Sequence, residues 1–158
     1  MIGSRFLIII TLLVALILEM LPLPEQIDTY RPDWLLLVLF YWTIALPNRC
    51  GIVTAWLCGF LLDILLGSTL GINALVYSMI AFIALANYLK IRNLSLWQQA
   101  FIVALVSAFY HLTDYWVQHF LTTAYFIPQE LWSILINLLM WPVIFVVLRK
   151  YRRGLRIR

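Results

Sequence analysis

Apolar residues in this chain come in long runs rather than in alternation, and short polar or Pro- and Gly-bearing breaks separate them. The runs approach the roughly 20 residues that an α-helix needs to cross about 30 Å of hydrocarbon. They fall at about 6–23, 33–47, 51–66, 71–89, 97–121 and 131–148, with breaks at "PEQIDTYRPD", "PNRCG", "GSTLG", "KIRNLS" and "TTAYFIPQE". This pattern predicts an all-α membrane protein, a six-transmembrane-helix bundle, as a single domain over 1–158 with a basic tail at 149–158. The second and third runs are short and joined by Pro47 to Gly51, so they read as a hairpin that only just crosses. The start "MIGSR" before an apolar run is also how a secretory signal begins. "LPLPEQ" follows instead of a small-x-small cleavage site, so the run is read as a retained first span.

Composition agrees with lipid as the surrounding solvent. Hydrophobic residues make up 65% of the chain and charged ones 11%, against about 25% in soluble domains. Charge sets the orientation. With six spans starting inside, Arg5, Arg49, Lys90, Arg92 and the six basic residues of the tail are all cytoplasmic. Only Arg31 of the 11 Lys and Arg then lies outside, near Glu25, Asp28, Asp33 and Glu130, as the positive-inside rule requires. Both termini are therefore expected in the cytoplasm. The tail "RKYRRGLRIR" reads as a topology anchor that also attracts anionic lipid. No folded module presents that charge to nucleic acid. Cys50 and Cys58 offer no disulfide framework and read as small packing residues.

Polar groups inside the runs carry whatever chemistry there is. Glu19, Asp63 and Asp114 fall in one outer layer on three helices, and ionised groups at that depth normally face a bundle interior or a cavity. Gly59, Asp63 and Gly67 follow i, i+4, i+8 along one helix face. There Asp63 is a candidate acceptor for the turn "GSTLG" and the first amides of the next helix, with ligand or ion binding as the alternative. Ser107, His111, Asp114 and Gln118 form a second stripe, read as an interhelical hydrogen-bonded seam or else a proton relay. Zinc on His111 and Asp114 would need a further ligand, and His119 is rotated away, so no metal and no cofactor is assigned. No HExxH, GxSxG or phosphate-cradling glycine loop is present, and no catalytic residue is assigned. Asn93-Leu94-Ser95 fits a glycosylation sequon but falls on the inner face, while Trp34, Trp97, Trp116 and Trp132 mark an interfacial belt. Arg31, between Pro24 and Pro32, is either paired within its loop or offered to a partner.

The stretches "YRPDWLLLVLFYWTIALPNR", "GFLLDILLGSTLG", "RNLSLWQQA" and "LWSILINLLMWPVIFVVLRK" carry a resemblance. Together they resemble the MreD family of rod shape-determining membrane proteins of Gram-negative bacteria, over nearly the whole chain. Arg31-Pro32-Asp33, and Gly59 with Asp63, Gly67 and Gly71, carry it most strongly. The resemblance implies a non-enzymatic scaffold or regulator of cell elongation, needed for rod shape and lateral peptidoglycan synthesis, in the inner membrane. It implies MreC, a single-span protein, as direct partner, and MreB, RodA and a class B penicillin-binding protein in the wider assembly. It also implies a fold similar to the six-helix S components of vitamin transporters, which keeps open a second function, binding a small molecule or lipid intermediate in an outer-leaflet pocket.

Overall fold

A computed structural model of the chain describes residues 2–22, 30–67, 69–121 and 131–154. Glu25, Asp28, Glu130 and tail residues 155–158 lie outside the described residues, as do the side chains of Arg5 and Gln118. Seven helices follow in order: α1 Ile2–Met20, α2 Trp34–Ala45, α3 Ile52–Leu66, α4 Ile72–Ala86, α5 Tyr88–Asn93, α6 Leu96–Leu121 and α7 Leu131–Gly154. No strand occurs among the described residues.

Each of the six apolar runs is helical over most of its length, with three departures. The fourth breaks at Asn87, whose amide turns back to the Ile83 carbonyl (3.0 Å), and the short α5 carries on from there. The sixth does not end at residue 148; α7 continues through Gly154, so the first part of the basic tail is helical. The second ends at Ala45, before Pro47. Within Leu96–Val117 and Trp132–Gly154 the chain is long and apolar enough to cross a membrane, whereas the other four apolar helices have 10–17 residues that qualify as apolar.

Helix α2 is the hub. Its 12 residues span only about 18 Å, yet every residue from Leu35 to Ile44 is buried. A helix apolar on all sides belongs in a core, and α1, α4, α5, α6 and α7 all pack on it. Phe40 meets Trp141 edge-on at 5.5 Å, and Tyr41 meets Phe145 at the same separation. The Trp42 indole donates to the Thr11 hydroxyl of α1 (2.8 Å). The outside of the bundle is apolar too: Val53 and Leu105 are each 72% exposed and Phe120 78%. Such an apolar exterior on a chain with so few charges fits lipid better than water.

Helices α3 and α4 make the closest pair. Gly59 permits it, because a Cβ there would stand 2.5 Å from the Asn73 carbonyl oxygen and 2.6 Å from the Ala74 Cα. The turn between them needs left-handed backbone at Gly67 (φ 64°) and Gly71 (φ 97°), which glycine adopts without strain. At the other end of the bundle, α6 starts with a capping box. Ser95 N–H donates to Gln98 Oε1 (3.0 Å), and Gln98 N–H donates back to Ser95 Oγ (3.4 Å).

Candidate functional site

The amino end of α2 lies inside the bundle, where Asp33 and Leu35 are both buried. Its first-turn amides would otherwise be buried without partners, at about 1–3 kcal/mol each. Side chains from three other helices converge there. The Asp33 backbone N–H donates to Asn137 Oδ1 of α7 (2.9 Å), and the Leu35 N–H donates to Glu19 Oε2 of α1 (3.3 Å). A carboxylate at a helix amino terminus also meets the positive end of its dipole.

Asp33 itself is the focus. Its Oδ2 accepts from Asn137 Nδ2 (2.6 Å) and Ser107 Oγ (2.9 Å), and His111 Nε2 stands 3.0 Å away. Asn137 Nδ2 also donates to Ser107 Oγ (2.7 Å), closing a ring of bonds across α2, α6 and α7. Hydrogen bonds to an ionised group are worth about 1.5–3 kcal/mol each, enough together to offset much of the cost of burying the carboxylate.

The sequence reading placed Asp33 in the outer loop beside Arg31. The structure instead buries Asp33, at 7% exposure, and turns it inward. Arg31 is half-buried and donates from Nη2 to the Leu18 carbonyl (2.7 Å), a cation set against the carboxyl end of α1. Pro32 precedes them, and its carbonyl accepts from the Trp34 N–H (2.9 Å).

Asp63 organises a second group. Its Oδ2 accepts from the N–H of Gly71 (2.9 Å) and Ala74 (3.3 Å), and its Oδ1 from that of Asn73 (3.2 Å). The carboxylate thus caps α4 from α3. Asn73 Oδ1 in turn accepts from the Tyr110 hydroxyl (2.9 Å). Tyr110 precedes His111, and the two rings meet at 5.1 Å. Helix α6 therefore joins the Asp63 and Asp33 groups through consecutive residues.

Of the four-residue stripe on α6, Ser107 and His111 meet at Asp33. Asp114 is half-buried one turn on, and the Gln118 side chain is outside the described residues. His119 is exposed and stacks on Tyr115 (5.8 Å). Among the described residues no three of His, Cys, Asp and Glu gather as a metal site. Sequence reasoning missed Asn137 and Tyr110. The signal for Asn137 was present: Ser133, Asn137 and Trp141 follow i, i+4, i+8 in an apolar run, and all three are buried.

Beside these polar groups lies an apolar cavity of about 510 Å³ between α1 and α7. It runs from Leu7 to Leu18 on one wall and from Met140 to Tyr151 on the other, with Val38 of α2 as floor. The rise from Leu7 to Leu18 makes that groove about 16 Å long.

Comparison with known proteins bears on the whole chain. A family model described as rod shape-determining protein MreD matches residues 1–151. A curated Haemophilus influenzae protein named "Rod shape-determining protein MreD" is 40% identical over 152 residues, covering 96% of this chain and 94% of its own length. No solved structure matches. With a family match along nearly its full length and a relative this similar, the chain belongs to the MreD family of rod shape-determining proteins.

Proposed function

We propose that the protein is a non-enzymatic scaffold of the cell-elongation complex, a multi-pass inner-membrane bundle of six spans with both termini cytoplasmic. In this reading it docks MreC and, through it, the wall synthases that build lateral peptidoglycan. The charge bias supports the orientation, and family membership supports the role in rod shape. The observation that carries the scaffold reading is how the buried polar groups are used. Asp33 and Asp63 hold helices to one another, which makes a rigid body with an apolar exterior.

The groove between α1 and α7 is where a single-span partner fits. It opens sideways, it is lined by apolar side chains, and its length suits about three turns of a partner helix. Filling it should therefore block docking. Val143→Trp is expected to reduce recovery of MreC in mild detergent, whereas Leu105→Trp, on an exposed face of α6, is expected to leave it unchanged. Equal recovery of MreC with both variants would sink the groove as the docking site.

The same cavity supports a second reading, a binder of a small molecule or lipid intermediate. A ligand that binds only the folded state raises its unfolding midpoint by mass action. Stabilisation of the purified protein by a wall-precursor lipid, abolished by Val143→Trp, would favour this reading over helix docking.

A further inference from the structure

We propose that Arg92, Arg152 and the Tyr41 hydroxyl, with the Trp141 indole N–H beneath them, form a binding site for a phosphate group. The site lies at the end of the bundle opposite Asp33, apart from the groove between α1 and α7.

Four residues that carry donors line one small pocket there: Arg92 in the last turn of α5, Arg152 near the end of α7, Tyr41 of α2 and Trp141 of α7, together with Phe145. Its volume is about 40 Å³, room for two or three water-sized groups. Tyr41 is 2% exposed and Trp141 0%, yet neither the hydroxyl nor the indole nitrogen has a hydrogen-bond partner. Two buried donors without acceptors in one wall are unusual, because each costs about 1–3 kcal/mol if left unmade. Arg152 leans on the Ala45 carbonyl through a long contact (3.4 Å), which uses one of its five donors.

Charge narrows the missing acceptor to an anion. The seven carboxylates of the chain are Glu19, Glu25, Asp28, Asp33, Asp63, Asp114 and Glu130. Among the described residues none falls in the segments 46–51, 87–96 or 149–154 at this end, which hold only cations. No described carboxylate therefore stands as counter-charge for Arg92 or Arg152, and planar guanidinium groups match phosphate oxygens closely. Arg152 reaches back along α7 to the Ala45 carbonyl, so its guanidinium shares one pocket with Tyr41, Arg92 and Trp141. A phosphate there, free or carried by a phospholipid, has oxygens enough for these donors. The expected attraction of the tail for anionic lipid thus becomes a built site, in which Arg152 acts with residues of α2 and α5.

The test uses the full chain, purified in mild detergent, with phosphatidylglycerol, diacylglycerol and inorganic phosphate as probes, and binding read by native mass spectrometry and by shift of the unfolding midpoint. Phosphatidylglycerol is expected to bind, and diacylglycerol, which lacks phosphate, is not. The Arg92→Gln/Arg152→Gln pair is expected to weaken binding at least tenfold, and Tyr41→Phe, which deletes one oxygen and little packing, severalfold. Trp141→Phe, which removes the indole donor, is expected to weaken binding as well. The Arg149→Gln/Arg153→Gln pair removes the same charge from residues outside the pocket and should change binding little. If inorganic phosphate stabilises the protein equally, and loses that effect in the Arg92/Arg152 pair, the site stands and its source is the free anion. If both arginine pairs weaken binding alike, or Tyr41→Phe leaves it unchanged, the proposal is overturned: the attraction is diffuse and the pocket holds water.

Discussion

Gly59 of α3 and Asn73 of α4 are so close that a methyl group on the glycine would lie 2.5 Å from the asparagine carbonyl oxygen. Backbone, unlike a flexible side chain, cannot swing away from it. Gly59→Ala is therefore expected to push the two helices apart and to destabilise the purified protein by about 1–3 kcal/mol. Gly51→Ala is the control, since a Cβ there meets nothing within 4 Å. Thermal unfolding in detergent measures both, and equal midpoints would mean that the pair is not in close contact.

Asp63 gives a graded series. Asp63→Asn keeps one acceptor oxygen of similar shape but sets an amide against at least one of the N–H groups of Gly71, Asn73 and Ala74. Asp63→Leu leaves all three without that acceptor, at about 1–3 kcal/mol each where they are buried. Stability and rod-shape complementation are expected to fall in the order Asp, Asn, Leu. Equal loss with Asn and Leu would mean that the negative charge, rather than acceptance of these bonds, is what matters.

Asn137 makes three of the bonds around Asp33, two donated and one accepted. Ser107 donates one and accepts one. Asn137→Ala is accordingly expected to cost more than Ser107→Ala, by roughly 1–3 kcal/mol. Because both act on one carboxylate, the double variant should fall short of the sum of the singles. A strictly additive double-mutant cycle would show that the two side chains do not share Asp33.

The two acidic groups differ in how far their chemistry could be read from sequence. Asp63 finds its donors 8 to 11 residues away, across one turn whose glycines are visible beside it. Its spacing with Gly59 and Gly67 was enough to indicate an acceptor at a helix junction. Asp33 finds its donors 74, 78 and 104 residues away. Nothing local records those distances, so a residue next to Arg31 and a proline looked like part of an exposed loop. The helices themselves were legible, because apolar runs and their breaks are local. Which helix becomes the hub was not, since the shortness of α2 reveals its central position only once the five helices that pack on it are in place.

Thiol chemistry checks the packing around α2 independently. Burial pushes the Cys50 thiol up to about 11, which keeps it in the unreactive thiol form at pH 7. Cys58 is buried as well. Neither should react with a maleimide at neutral pH until the protein is denatured. With the two native cysteines silent, Gly154→Cys in the tail should label in broken membranes but not from outside intact spheroplasts. Labelling of Gly154→Cys by an impermeant reagent in intact spheroplasts would invert the proposed orientation.

The long reach of Asp33 has a consequence for how the protein is made. A ribosome adds roughly 5–20 residues each second, so several seconds pass between synthesis of Asp33 and of Asn137. Through that interval the carboxylate is without the donors of α6 and α7. Until the last helix arrives, water is its alternative partner, so this end of α2 is expected to stay hydrated. Completion of α7, rather than formation of α2, then closes the ring of bonds around Asp33.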